Sequence, residues 1–556
     1  MKNSIIFPVF LSAVSVFCDL PFPGRGVNLG DWLEAPKNEN WGVSIDSVDF
    51  VNIAQKGFNN IRIPARFSDY VTNEKRVSPE FMQKVKWAVD QTIRNKMTAI
   101  IDVHHFEGMA AEPQKYFEIL KNIWEDVSQE FANYKDSSVL FELMNEPHDA
   151  TTIELWNIYP DELVKIIRKT NKTRPILLGT ADWGGFSMFK TLKIPEDDNL
   201  IVTLHYYNPG KFTHQGADWA EGSNAWLGTR WTQSGVQKLA MLQDFEEVYD
   251  YAKRKNLKIH IGEFGAYDKA IYDDRVLWTE YAAALCSRFG FAFSYWEYSS
   301  GFGLYDPQTK KWREELTAAL FSTKEISSGD YSIGNENLVR NPNFENKAKN
   351  WTYGVWDKTG SADFEFSDGG LSINVSKIPS DVWGIQVIQE KLPLEAGKSY
   401  LLSFDAAGDS AMTLYACVET DEDYEIWGGI TASVPAKNVK AVIQTEKTSR
   451  TINLIFNLGL STGKAVLSNV SIKEIVIDAA PVSGQKLLTG LNRKIFISGN
   501  VVNAYPSAQF EVISANGKVI FSGKCGADGK AEIKNTPKGI YTVRIGNNLS
   551  LKYICK

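Results

Sequence analysis

Between about residue 24 and residue 322, short apolar runs alternate with longer stretches whose apolar residues recur every three to four positions. The runs are GVNLG (26–30), NIRIP (60–64), AIIDVHH (99–105), VLFELMNEP (139–147), PILLGTA (175–181), LIVTLHYY (200–207), IHIGEFG (259–265) and FAFSYWEY (291–298). Several show little alternation, as expected for parallel strands covered on both faces. The stretches between them, such as PEFMQKVKWAVDQTIRNK (79–96) and LWNIYPDELVKIIRKTNK (155–172), carry helical periodicity. Eight strand–helix units in this length predict a (β/α)₈ barrel over 19–325. A doubly wound open sheet competes, but no G-x-G-x-x-G follows the first run.

The pattern then changes. A short polar break near 323–336, rich in Ser and Gly, precedes runs of period two: LSINVS, KSYLLSFDAA, AMTLYACVE, AVIQTE, TINLIFNLG and KAVLSNVSIKEI. These predict an all-β sandwich over 336–478. A second all-β piece is expected over 484–556, where FEVISANGKVIFSG reads as a hairpin turning at Asn516-Gly517. At the other end, residues 1–18 place Lys2 before an apolar run too short to span a bilayer, the order of a secretory signal. No other run reaches the length of a membrane span, so a secreted or cell-surface location is expected.

Composition narrows the function. Asp+Glu number 67 against Lys+Arg 60, for a net charge of −7, which argues against a nucleic-acid partner. The 16 Trp are absent from the last segment, so the segments differ in task. Of the five Cys, Cys18 falls in the signal, Cys286 reads as a core hydrophobe, and Cys525 and Cys555 are candidates for a disulfide. No cofactor motif and no zinc spacing stands in the chain.

In barrels of this kind the reacting groups sit at the C-terminal ends of the strands. Chemically capable residues gather there: Arg62 on the second strand, His104 and His105 on the third, Asn145 and Glu146 on the fourth, His205 and Tyr207 on the sixth, Glu263 on the seventh, Trp296 and Glu297 on the eighth. Strands four and seven face each other across a barrel, so Glu146 and Glu263 are expected in one cleft. Two carboxyls flanking a glycosidic bond suffice to hydrolyse it, one as proton donor and one as nucleophile at a spacing of about 5–5.5 Å. Arg62 and Tyr207 are candidates to keep a nucleophile ionised, Asn145 to bind a sugar 2-hydroxyl and Trp296 to floor a pyranose ring. Each also has a plainer reading: Arg62 as a structural ion-pair partner, Trp296 as core, and His104–His105 as a metal pair for which no third ligand has matching spacing.

These residues carry a resemblance to glycoside hydrolase family 5, nearest to thermophilic bacterial endoglucanases that also act on mannan. The matching segments are RGVNLGDWLEAP (25–36), IRIPARFS (61–68), DVHHFE (102–107), FELMNEPH (141–148), GTADWGG (179–185), VTLHYYNPGKFTHQGADWAEGS (202–223), IGEFGAY (261–267) and YWEYSSGFGLYD (295–306). The resemblance implies a secreted retaining endo-β-1,4-glucanase with Glu146 as acid/base and Glu263 as nucleophile. Arg62, His104, Asn145, His205, Tyr207 and Trp296 would support them, and Glu34, His105, His214, Trp219 and Glu297 would contact sugar. It implies no cofactor and no metal, and a β-linked polysaccharide (cellulose, β-glucan, glucomannan or mannan) as partner. A dedicated β-mannanase or xyloglucanase is the alternative on the same barrel, and a non-catalytic polysaccharide-binding protein the alternative of another class. One departure stands out: the subgroup commonly has Asn-Ala where this chain has Asp31-Trp32, which puts an added carboxylate and a bulky ring near the cleft.

ENLVRNPNFENKAKNWTYGVW (336–356) resembles the opening of family 4/9 carbohydrate-binding modules, with Trp351, Trp356, Trp383, Tyr415, Tyr424 and Trp427 as candidate stacking residues. The last residues, with Gly539, Tyr541 and Val543 in a G-x-Y-x-V pattern, resemble a type IX secretion C-terminal domain, which implies contact with secretion machinery.

Overall fold

Each of the eight apolar runs forms a parallel strand: β1 (Arg25–Asn28), β2 (Asn60–Ala65), β3 (Thr98–Val103), β4 (Val139–Glu142), β5 (Ile176–Leu178), β6 (Leu200–Tyr206), β7 (Ile259–Phe264) and β8 (Ala292–Tyr295). They pair in chain order, and β8 pairs back onto β1 to close the barrel. The computed structural model describes residues 22–322, then 331–477 apart from 368, 409–411, 423 and 446–450, and strand segments between 496 and 555. The expected signal at 1–18, the Asn516-Gly517 turn and the Cys525–Cys555 pair lie outside the described residues. Cys286 is buried in the barrel core, as expected, and unpaired.

Apolar runs on a barrel strand still have two faces, because side chains alternate. On β3, Ile101 and Val103 join the core beneath the helices, whereas Ile100 packs with Leu140, Leu177 and Ile201 in a separate cluster inside the barrel. Two residues further along the same inward face stand Asp102 and Glu142, both fully buried. A polar belt crosses the interior as well: Thr203 Oγ1 lies 3.1 Å from His260 Nδ1, His260 Nε2 lies 3.0 Å from Ser294 Oγ, and the Ser294 hydroxyl donates to Asn60 Oδ1 at 2.7 Å. The lumen thus passes from apolar to charged toward the C-terminal ends of the strands.

The enclosing helices include α1 (Ser47–Gln55), α2 (Pro79–Arg94), α3 (Pro113–Glu130), α4 (Tyr159–Arg168), α5 (Gly235–Lys255) and α6 (Tyr272–Phe289). Helix α2 starts where the sequence says it should: Ser78 caps the Phe81 N–H, Pro79 opens the first turn, and Phe81, Val85, Ala88, Val89 and Thr92 form its buried stripe. The single helix expected over 155–172 divides into a short turn ending at Trp156 and α4, because Pro160 is tolerated only in a first turn.

The sandwich has two antiparallel sheets. One orders Ser361–Ser367, Gly370–Lys377, Gly463–Ile477, Ser399–Ala407 and Ala436–Gln444; the other orders Thr352–Val355, Ile385–Gln389, Ile452–Asn457, Thr413–Thr420 and Ile426–Ser433. Part of the expected break is structured: Tyr331–Ile333 pairs with the end of Gly463–Ile477. The barrel and sandwich make one compact unit up to Asp478, rather than two bodies joined by a linker. The reason lies in α5, which is apolar on two faces. Met241, Phe245 and Val248 face the barrel core, while Val236 and Leu239 pack with Ile475 against Ile333, Leu401 and Val442 of the sandwich.

In the C-terminal unit the described residues form β-strands. Gln509–Ile513 pairs with Val519–Lys524 and with Gly539–Ile545, and Phe510, Val512 and Val543 are buried. Among the described residues no helix is long and apolar enough to cross a membrane.

Candidate active site

A register shift builds the centre of the site. Leu204 of β6 pairs with Ile261 of β7, but the next pair is His205 with Glu263, so Gly262 is skipped. Such a bulge re-aims the residue after it. A Cβ on Gly262 would lie 2.6 Å from Thr203 Oγ1 and 3.2 Å from His205 Nε2, so a side chain there would displace both. The Glu263 and His205 side chains consequently share the inward face. Glu146 reaches them from beyond β4, on a segment tied down by Leu143 N–H to Leu177 O and Asn145 N–H to Val103 O. His205 Nδ1 lies 2.7 Å from Glu146 Oε1 and 3.6 Å from Glu263 Oε2. One carboxylate oxygen of Glu146 and one of Glu263 lie within 4.8 Å of each other.

Arg62, fully buried, is the hub beneath them. Its Nη1 donates to Glu263 Oε1 at 2.8 Å and to Asn28 Oδ1 at 2.9 Å. Its Nε and Nη2 donate to Glu142, both at 2.8 Å, and Nη2 also donates to Asn145 Oδ1 at 2.7 Å. Asp102 Oδ2 lies 3.1 Å from Nη2 and also bonds His104 Nδ1. The Tyr207 hydroxyl donates to Glu263 Oε2 at 2.9 Å. Arg62 is therefore both an ion-pair partner of buried Asp102 and Glu142 and a hydrogen-bond donor to Glu263. Asn28, Asp102 and Glu142 escaped the sequence reading. Their signal was a charged or amide residue inside an apolar strand with no stated partner.

The two carboxyls are driven apart in proton affinity. Burial pushes both upward. For Glu263, the charges of His205 and Arg62 and the Tyr207 hydrogen bond overcome burial and hold it well below the usual carboxylate range. For Glu146, burial and the nearby Glu263 outweigh His205, so its carboxyl is raised. His205 itself is lowered by burial but raised more by Glu263 and Glu146. A proton donor beside a carboxylate is the division of labour that glycosidic cleavage needs.

The remaining predicted residues line the same mouth. Trp296 stacks parallel to His104, 5.6 Å between ring centres. The His105 ring stands edge-on to His104 at 4.5 Å. Glu34 is buried, with Oε1 accepting the Asp31 N–H at 2.8 Å and Oε2 without a protein partner. His214 packs 4.8 Å from Tyr207, and Trp219, 63% exposed, lies 6.5 Å from His214. Glu297 is engaged differently: its buried carboxylate accepts the N–H groups of Ser299, Ser300 and Phe302, which fixes the loop after β8. At the Asp31-Trp32 departure, Trp32 turns outward against Trp87 of α2, while Asp31, at φ 60°, stays beside Glu34 with its carboxyl raised by burial. Trp183 was overlooked; its exposed ring stacks on His148 at 3.7 Å.

No third ligand has matching spacing to His104–His105 in the sequence, but the fold brings Glu34, far away in the chain, within 4.8 Å of both. The group still offers little to a cation, because His104 is bound by Asp102 at Nδ1 and faces the Asn145 amide nitrogen, 3.3 Å away, at Nε2.

A family model described as cellulase (glycosyl hydrolase family 5) matches residues 23–301. The chain belongs to glycosyl hydrolase family 5. A carbohydrate binding domain model matches residues 336–465 of this family 5 chain. Endoglucanase H of Acetivibrio thermocellus is 31% identical over 307 residues, 54% of this chain and 33% of that protein. The chain thus spans about a third of that relative's length. Endoglucanase C of the same organism is 23% identical, over 54% of this chain and 98% of that one. Among solved structures, Cel5A of Thermotoga maritima in complex with mannotriose is 36% identical with a TM-score of 0.53, covering 54% of this chain and 98% of that chain. A hyperthermophilic endo-beta-1,4-glucanase is 39% identical at the same TM-score, covering 54% and 97%.

The structure sorts the candidate stacking residues of the sandwich. Trp351 and Trp427 belong to its core and Tyr415 is half-buried. Trp356, Trp383 and Tyr424 are exposed. Trp356 and Trp383 sit on adjoining loops, joined by the Trp356 N–H donating to Gly384 O at 2.7 Å.

Proposed function

We propose that this family 5 chain cleaves internal β-1,4 bonds of glucan by double displacement with retention of configuration. The observation that carries this reading is the Glu146–Glu263 pair, with oxygens within 4.8 Å and opposite proton preferences. Glu146 gives its proton to the glycosidic oxygen while Glu263 attacks the anomeric carbon, and the C–O bond electrons leave with that oxygen. Glu146, now a carboxylate, takes a proton from water, and the hydroxide so formed releases the sugar from its ester with Glu263. Arg62 and Tyr207 keep Glu263 ionised. The amide of Asn145 has a second N–H for the sugar 2-hydroxyl. Trp296 floors the ring, backed by His104, with Glu34, His105 and Glu297 on the same side of the mouth and His214 and Trp219 on the side of the β6 loop.

Mannan and glucomannan are proposed as further substrates, favoured by the mannotriose complex of the Thermotoga relative. The enzyme acts outside the cell, a location supported by the order of residues 1–18 and by the carbohydrate binding domain. The C-terminal unit is read as a sorting domain on its G-x-Y-x-V pattern. Reducing-sugar release from carboxymethylcellulose, glucomannan, galactomannan and xyloglucan tests the substrate. Release is expected from the first two, with the anomeric configuration retained by NMR. Release from none of the four, or inversion, would overturn the reading.

A further inference from the structure

The sandwich packs along the barrel wall beside α5 and the segments that follow β5 and β6. Helix α5 begins just after the β6 loop and runs away from the mouth, so Val236 and Leu239, in its first turns, place the apolar seam near the rim. A second attachment comes from the segment after β5. There Lys190, in the short turn Phe186–Thr191, donates to Thr431 O of strand Ile426–Ser433 at 3.4 Å. A third comes from the segment after β6. Lys211, in the turn Gly210–Thr213, faces Glu425 Oε1 at 4.0 Å, while Glu425 Oε2 accepts the Trp427 indole N–H at 3.3 Å. Two of these points are charged or polar contacts to strand Ile426–Ser433 and the residue before it. The Lys211 contact places the turn of the hairpin between Thr413–Thr420 and Ile426–Ser433 near the rim beside the β6 loop, whereas the Lys190 contact, shared with Glu247 in the second half of α5, holds the strand further down the barrel wall.

Next to Glu425 stands Tyr424, held at φ 55° and 75% exposed. On the barrel side of the same contact, Lys211 is three residues before His214, whose ring packs on Tyr207, which bonds Glu263. The short turn that carries Lys211 and leads into His214 therefore brings the surroundings of the candidate nucleophile close, along the chain, to the turn of the sandwich that bears the exposed ring. A Tyr at this place is not needed for the fold of the hairpin, since its ring contributes nothing to the core. It is suited to the flat face of a sugar, with the apolar body of the ring as platform and the hydroxyl free to take a sugar hydroxyl.

We propose that Tyr424 forms a sugar-stacking subsite that the sandwich adds to the catalytic cleft on the β5–β6 side, filled only by chains too long for the barrel alone. The proposal rests on the hydrolase reading above. It makes the sandwich part of the cleft rather than a separate anchor, and the occupant is the same glycan chain that lies across Glu146 and Glu263.

The test compares the full-length protein with Tyr424→Ala and Tyr424→Trp, on carboxymethylcellulose and on cellotriose. The ratio of kcat/KM on polymer to kcat/KM on trisaccharide is expected to fall about three- to tenfold in Tyr424→Ala, the size of one lost ring contact, and to be restored by Tyr424→Trp. An unchanged ratio in Tyr424→Ala, or an equal fall on both substrates, would overturn the subsite while leaving the catalytic reading intact. Wild-type protein that cleaves neither substrate would instead overturn the catalytic reading, and the subsite with it.

Discussion

Glu263 is buried and yet held below the ordinary carboxylate range, which only charges and donors aimed at it can achieve. Arg62, His205 and Tyr207 supply them. As the proposed nucleophile, its replacement in Glu263→Gln is expected to lower turnover by several orders of magnitude while substrate binding remains; near-normal turnover would refute the assignment. Arg62 carries a second burden, since Asp102 and Glu142 also face it from fully buried positions. Arg62→Met would leave those carboxyls without their cation and is expected to cost about 3–5 kcal/mol of stability in chemical denaturation. The sign of the pH dependence follows from the same shifts. Glu263, lowered in the fold, adds stability above its unfolded pKa that is lost as pH falls through its folded one. Glu146, raised, must hold its proton to act as acid, so kcat/KM falls as pH rises through its elevated pKa. With an aryl cellobioside whose phenolate needs no proton to leave, Glu146→Gln is expected to lose that alkaline limb. It should also show a burst of phenolate followed by slow turnover, because release from Glu263 then lacks its base. A persisting alkaline limb would assign it elsewhere.

At the scale of elements, the skipped residue on β7 decides whether these side chains meet. Gly262→Ala would press on Thr203 and His205 and shift the ring that stands between the two carboxyls. A displacement of this kind costs about 10²-fold in kcat/KM, with the far-UV CD spectrum retained; an unaffected rate would show that the bulge does not set the geometry. Nothing in IHIGEFG marks this glycine as a bulge, since an ordinary strand interior is written with the same letters. The eight strands themselves were legible because burial on both sides leaves long apolar runs, and strand ends located Glu146 and Glu263. What the runs concealed was their inward face. Asp102 and Glu142 occupy positions that alternate with core residues, and their reason for being there is Arg62, far away in sequence on β2. Contacts of that range leave no local pattern. The outward face of α5 was concealed in the same way: Val236 and Leu239 look like an ordinary opening of a helix until Ile475 is set against them.

For the molecule as a whole, the docked sandwich bears on how the proposed polymer substrate would be held. A module on a flexible tether raises the local concentration of substrate, whereas one fixed to the barrel must also present its sugar-binding surface in a set direction. Trp356 and Trp383 are the two large rings left exposed on adjoining loops of that sandwich, 48% and 54% accessible, while Trp351 and Trp427 are spent on its core. Exposed indoles have little to gain for stability, so these two rings are the proposed surface for sugar on the sandwich. Each stacked ring is worth about 0.5–1.5 kcal/mol beyond the area it buries, so losing both should weaken polymer binding about tenfold or more. The measurement is affinity electrophoresis in soluble β-glucan, made on a Glu263→Gln background so that hydrolysis does not erode the gel. Trp356→Ala combined with Trp383→Ala is expected to abolish most of the retardation, whereas Trp351→Ala is expected to unfold the sandwich. Undiminished retardation in the double variant would assign the exposed pair no part in holding the polymer and would leave binding to the barrel cleft and the proposed Tyr424 subsite.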